Sequence, residues 1–140
     1  MRTTPHRTPR PLALGILVAA LVTLAACGSS SKPAAARPTT TARLQIVSPA
    51  ANEVTGPNVD LKLDLIGARI VPQTTGPLSP SEGHIHVSVD GKLVSMAYGT
   101  EQPLTGLTPG SHMVQAEFVA TDHAAFKNRV VAAALFTVGP

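Results

Sequence analysis

The chain has 140 residues and a formal net charge of +3, but its charge is unevenly spread. Residues 1–42 hold five basic side chains and no acidic one, so the remainder has six basic against eight acidic residues, 6 − 8 = −2. Beyond residue 42 the only aromatics are Tyr98, Phe118, Phe126 and Phe136, so the basic patch and stacking platforms of a nucleic-acid binder are both missing.

At the amino end, Arg2, His6, Arg7 and Arg10 precede an apolar run from Leu12 to Ala26 whose one polar interruption is Thr23. A basic segment followed by a short apolar one is the layout of a secretory signal peptide. The run falls short of the ~20 apolar residues that a membrane-spanning helix needs. Leu24-Ala25-Ala26-Cys27-Gly28 resembles the lipobox of bacterial lipoproteins. That resemblance implies cleavage before Cys27, acylation of its sulfur and of the new amino terminus, and a place on the extracytoplasmic side of a bacterial cell membrane. Several acyl chains anchor a protein stably where one does so only marginally. Cys27 is the sole cysteine, so no disulfide can form within the chain.

Residues 1–26 are thus expected to be a lipoprotein signal peptide, and 27–42 the lipidated cysteine with its tether. The stretch GSSSKPAAARPTTTA from Gly28 is small, hydroxylated and Pro-rich, without apolar periodicity, and predicts a flexible connection. Residues 43–140 remain for one domain with one modest core, built on Val, Leu and Ile rather than on aromatics, which suits sheet structure.

Within that domain, Arg43 to Ser48 predicts a strand stopped by Pro49. Val59 to Leu65 alternates strictly, with Val59, Leu61, Leu63 and Leu65 on one face. A short strand is expected at Ala68 to Val71, then a polar, Pro-rich loop over residues 73–82. Gly83 to Asp90 alternates again, with Ile85, Val87 and Val89 inward. Asp90-Gly91 then signals a hairpin returning through Lys92 to Tyr98. Pro103 to Leu107 predicts an edge piece, Ser111 to Thr121 a long strand and Val130 to Val138 the last one. Ala124 to Ala134 is the one stretch that offers a helical alternative. Some seven short strands between Pro/Gly turns predict an all-β fold, an antiparallel β-sandwich.

Leu107-Thr108-Pro109-Gly110-Ser111-His112-Met113-Val114 resembles the approach to the penultimate strand of bacterial immunoglobulin-like domains. Ser48 to Val54 resembles their opening strand and turn. Leu107 to Val138 is also similar to the end of the periplasmic copper-resistance CopC family. There a D-G-H supplies copper ligands, whereas this chain has Asp122-His123 with no glycine between. A broader likeness, over most of residues 44–138, is to an uncharacterised bacterial family with G-H-x-H before a D-G turn and a later D-H. The matching residues here are Gly83-His84-Ile85-His86, Asp90-Gly91 and Asp122-His123.

Four histidines fall in the domain. His84 and His86 lie two apart on a strand, so their rings share one face, opposite Ile85 and Val87. One reading is a copper or zinc site of His84 and His86 completed by His123 and Asp122; the other is a wet sheet face. His112 stands where related sandwiches use a packing tyrosine, and a structural role is expected of it. Catalysis has little to rest on: Ser111, His112 and Asp122 make a triad only on paper, with no G-x-S-x-G elbow and no phosphate-binding glycine loop. The sequence therefore predicts a non-enzymatic, membrane-anchored binding or interaction module with an envelope protein as partner and no cofactor. Metal handling at the histidines, with copper or zinc, is the alternative.

Overall fold

Alternating apolar and charged residues make Val59–Ile66 a strand with one dry face: Val59, Leu61 and Leu63 are buried while Asp60, Lys62 and Asp64 face water. The same rule organises the rest of the computed structural model, which describes residues 36–140. The expected signal peptide, Cys27 and the first part of the expected tether lie outside the described residues. Nine strands follow in chain order: β1 Arg43–Ser48, β2 Val54–Thr55, β3 Val59–Ile66, β4 Arg69–Ile70, β5 Glu82–Val89, β6 Lys92–Ala97, β7 Glu101–Leu104, β8 Gly110–Ala120 and β9 Ala125–Val138.

Strands β1, β3 and β7 form one sheet in the order β1-β3-β7. The other sheet has the order β2-β9-β8-β5-β4, with β6 also paired to β5. The two sheets make an all-β sandwich. Its core joins Leu44, Leu61, Leu63 and Leu104 of the smaller sheet to Ile85, Val87, Val114, Ala116, Phe118 and Phe136 of the larger. Burying each such aliphatic or aromatic side chain contributes about 1.5–3 kcal/mol. Phe118 and Phe126 stack with ring centroids 5.3 Å apart.

Three features depart from the sequence reading. The Ala-rich stretch offered as a helix lies inside β9, which pairs with β8 from Gly110↔Val138 to Val119↔Ala125. There Ala134, Phe136 and Val138 alternate inward, and the β8 partner outweighs alanine's helical preference. The edge piece runs over Glu101–Leu104 rather than Pro103–Leu107. Pro103 sits opposite Asp60 on this edge strand, a position where its missing N–H costs nothing. Finally, residues 37–42, assigned by composition to the tether, are hydrogen-bonded to the β9 strand. Lys127 N donates to Pro38 O (2.9 Å), Thr40 N donates to Asn128 Oδ1 (2.9 Å) and Asn128 Nδ2 donates to Thr40 O (2.8 Å). Thr40 and Ala42 are buried, and Ala34–Pro140 is one compact unit that contains its whole core. Main-chain hydrogen bonding needs no apolar periodicity, so the composition could not signal it.

Candidate metal centre

Strand β5 runs between β8 on one side and β4 and β6 on the other. Its inner residues Ile85 and Val87 lie fully in the core, which sends His84 and His86 to the outer face of the larger sheet. Residues 121–124 connect β8 to β9 and fold back over that face. His123 N donates to Ala120 O and Ala120 N to Ala124 O, both at 3.0 Å. His123 itself takes the left-handed conformation, φ 65°, which histidine tolerates better than most residues. Because Gly83 pairs with Ala120, the turn lies beside the start of β5 and brings His123 onto its histidines.

Three ring nitrogens converge there. His84 Nε2 is 3.2 Å from His86 Nε2 and 3.0 Å from His123 Nδ1, and His86 Nε2 is 3.2 Å from His123 Nδ1. A triangle of this size has its centre about 1.8 Å from each nitrogen. An ion with bonds of about 2.0–2.1 Å to nitrogen would therefore sit about 1 Å above its plane, with one face open. Without an ion the arrangement is poor: each imidazole nitrogen is either a donor or an acceptor, and three that share one point cannot all be matched. His84 is completely buried and its Nδ1 has no hydrogen-bond partner, nor has Thr121 Oγ1 at the end of the same face. Orphaned buried polar atoms of this kind are uncommon outside functional sites.

The surroundings keep His84 and His86 neutral. Burial, then the neighbouring His123 and His86, push the His84 pKa down to about 4, against a smaller upward pull from Asp122. Burial and then His123 also lower His86, with Glu117 opposing. Neutral imidazole is the form that binds metal. For the apoprotein the depressed folded pKa of His84 has a definite sign. Its stabilising effect is complete above the unfolded value of about 6.5 and is lost as pH falls toward 4. Acidification through that window should cost the apoprotein up to about 1.4 kcal/mol per pH unit from His84 alone. The check is the thermal midpoint at pH 7 and pH 5 in a strong chelator. His84→Leu should flatten the difference, and an equally steep loss in that variant would contradict the assignment.

Asp122, expected among the ligands, is not brought into the cluster. Its Oδ2 accepts from Arg37 Nη1 (2.5 Å) and its Oδ1 from Ala124 N (3.2 Å), and the Arg37 contact comes first among the causes that hold its carboxyl below the usual range. Around the three histidines, the Tyr98 ring lies 5.5 Å from that of His84. On the outer face, Met96 of β6 and Glu117 of β8 stand directly opposite His86. Glu117 is held in a two-pronged pair by Arg129 at 2.8 and 2.6 Å. Nothing in the local sequence pattern marked Arg37, Met96 or Tyr98, because contacts across long sequence separations bring them here: the β5–β6 pairing for Met96 and Tyr98 just beyond it, and the Arg37 side chain's own hydrogen bonds.

His112 lies at the opposite end of β8, buried, with its ring 5.8 Å from Phe136. Its Nδ1 is 2.7 Å from Asp90 Oδ2 and its Nε2 is 2.7 Å from Thr108 O. Both ring nitrogens thus face acceptors, which calls for the doubly protonated ring. The Thr108 carbonyl, then the Asp90 carboxylate, raise its pKa, and the paper triad of Ser111, His112 and Asp122 is not assembled. A raised folded pKa gives stability that is complete below the unfolded value of about 6.5 and fades as pH rises through the folded one. Replacing His112 by Phe should therefore lower the thermal midpoint more at pH 6 than at pH 8.5. An equal drop at both would show that the ring acts by packing alone.

No protein-family model matches the chain, and no curated protein sequence is similar to it. Solved structures with a similar fold include the fibronectin(III)-like modules of Clostridium thermocellum CbhA, 17% identical over 69% of this chain and 94% of that one, with a TM-score of 0.46. The CARDB domain of a Pyrococcus furiosus protein is 15% identical over 73% of this chain and 97% of its own, TM-score 0.46. CopC from Methylosinus trichosporium OB3b is 22% identical over 70% and 95%, TM-score 0.36. These likenesses stand as likenesses, and the class of the molecule, an all-β sandwich domain, rests on its own two sheets.

Proposed function

We propose that this domain is a non-enzymatic metal-binding module that holds one copper or zinc ion on His84 Nε2, His86 Nε2 and His123 Nδ1. Cys27 then anchors it by lipid to the extracytoplasmic face of a bacterial membrane. The observation that carries the reading is the convergence of three ring nitrogens within 3.2 Å of one another. Imidazoles suit copper and zinc, and for one ligand set Cu(II) binds more tightly than Zn(II). Three protein ligands leave a coordination position open, which favours acquiring and passing on an ion over permanent structural retention. Met96 pairs with His86 across the strands, and a thioether ligand from it would favour Cu(I).

The test is calorimetric titration of the tag-free chain from Ala34 to Pro140 with Cu(II), Zn(II) and, under reducing conditions, Cu(I). One ion per chain, with Cu(II) tighter than Zn(II), is expected. Weak binding of several ions per chain would overturn the reading.

A second reading, interaction with an envelope protein, rests on a different surface. Among the described residues β6 pairs with β5 alone, and it carries Leu93, Val94, Met96 and then Tyr98 largely exposed. Exposed apolar edge strands are sites of strand addition. Stable cross-linking to one envelope protein that Val94→Lys abolishes would favour it.

A further inference from the structure

We infer that Arg37, in the stem that leads into β1, is a positioning residue for His123, so that the affinity of the metal centre depends on the stem being docked. The inference rests on the metal reading above and adds to it a residue that touches no ligand atom. His84 and His86 are fixed by a strand with hydrogen-bonded neighbours on both sides. His123 is different: it sits in a turn, with positive φ, and offers Nδ1, the ring nitrogen nearer the backbone. A ligand bound through Nδ1 has little side-chain reach with which to correct an error in its main chain. Metal sites tolerate only about 0.5 Å of such error.

Arg37 holds this turn at three points. Its Nη1 donates to Asp122 Oδ2 (2.5 Å), its Nη2 to Ala124 O (2.5 Å) and its Nε to Ala125 O (2.8 Å). The residue before His123 and the two after it are thereby tied to one planar group. A guanidinium presents its donors in a rigid fork, which a lysine ammonium cannot reproduce. The stem is itself held in register by Pro38 O, which accepts from Lys127 N, and by the reciprocal pair of Thr40 and Asn128. With one oxygen of Asp122 bound to Arg37 and the other to Ala124 N, the clamp also withholds that carboxylate from the ion. The site stays a three-imidazole one.

The experiment compares Cu(II) and Co(II) binding by the chain from Ala34 to Pro140 with its Arg37→Ala, Arg37→Lys and Asp122→Ala variants. Positioning groups of this kind commonly contribute 10–100-fold in metal affinity. A loss of that size is expected for Arg37→Ala, incompletely restored by Arg37→Lys. The Co(II) visible spectrum should change because His123 is displaced or Asp122 released, a signature that simple destabilisation of the fold would not produce. Asp122→Ala should weaken binding less, since two of the three clamp contacts remain. It also serves as the independent variant should Arg37→Ala fail to fold. Wild-type affinity and spectrum in Arg37→Ala, or in Asp122→Ala where Arg37→Ala does not fold, would overturn the inference and leave the metal reading standing. Failure of the unmodified chain to bind any ion would instead remove the metal reading itself.

Discussion

Changing His84 and His86 together to alanine is expected to abolish stoichiometric Cu(II) and Zn(II) binding. Four-ligand structural zinc sites are worth about 10–16 kcal/mol, or about 3 kcal/mol per ligand. Removing two of three ligands should thus weaken binding by roughly ten-thousandfold. Calorimetry, or competition against a chelator of known affinity, measures this directly. The fold should survive, because both side chains lie on the outer face while Ile85 and Val87 keep the core contacts of β5. The apoprotein should gain from one such change: His84→Leu removes a fully buried imidazole whose Nδ1 has no partner. That variant should unfold at a higher temperature than the metal-free parent, since a buried unpaired polar group costs about 1–3 kcal/mol, while binding the ion roughly a hundredfold more weakly. A double variant that still binds one Cu(II) as tightly as the parent would show that the ion, if any, lies elsewhere.

Gly83→Ala carries the second large effect, and it acts through the backbone. A Cβ at Gly83 would lie 1.9 Å from the carbonyl oxygen of Val119 and 3.0 Å from Cζ of Phe118. The β8–β9 register slips opposite Phe118 and Val119, with the extra residues on β9, while β8 stays in unbroken register with β5 and holds the Val119 carbonyl against Gly83. Only glycine leaves room for it. The obstacle is main chain, so no rotamer change relieves it and the two strands must part. Overpacking of this kind costs about 3 kcal/mol at the upper end of its usual range, a large share of the 5–15 kcal/mol that holds a domain together. A fall of roughly 15 °C in thermal midpoint is expected for a domain of this size. Metal affinity should fall as well, since His84 is the next residue and His123 follows the same stretch of β8. A midpoint within a degree or two of the parent would show that β5 and β8 separate at little cost.

Much of the fold was legible in residue order because its cause is local. Alternation at Val59–Leu65 and Gly83–Asp90 fixes which side chains face the core, and Asp90-Gly91 fixes the hairpin that joins β5 to β6. The same alternation put His84 and His86 on one face without any knowledge of their neighbours. The basic segment, apolar run and cysteine at the amino end are also written in consecutive residues, and the expectation of a lipid anchor comes from them alone.

What only the tertiary structure decided depends on strand pairing across long sequence separations. His123 is 37 residues from His86, and the β5–β8 register together with the turn after β8 brings it to the pair. Adjacency to His123 in the chain suggested Asp122 as a ligand, yet a turn sends consecutive side chains in different directions, and Arg37 claims this one from 85 residues away. The Ala-rich stretch of β9 shows the same limit from the other side. Its helical preference is local and weak, whereas the hydrogen bonds offered by β8 are distant and decisive.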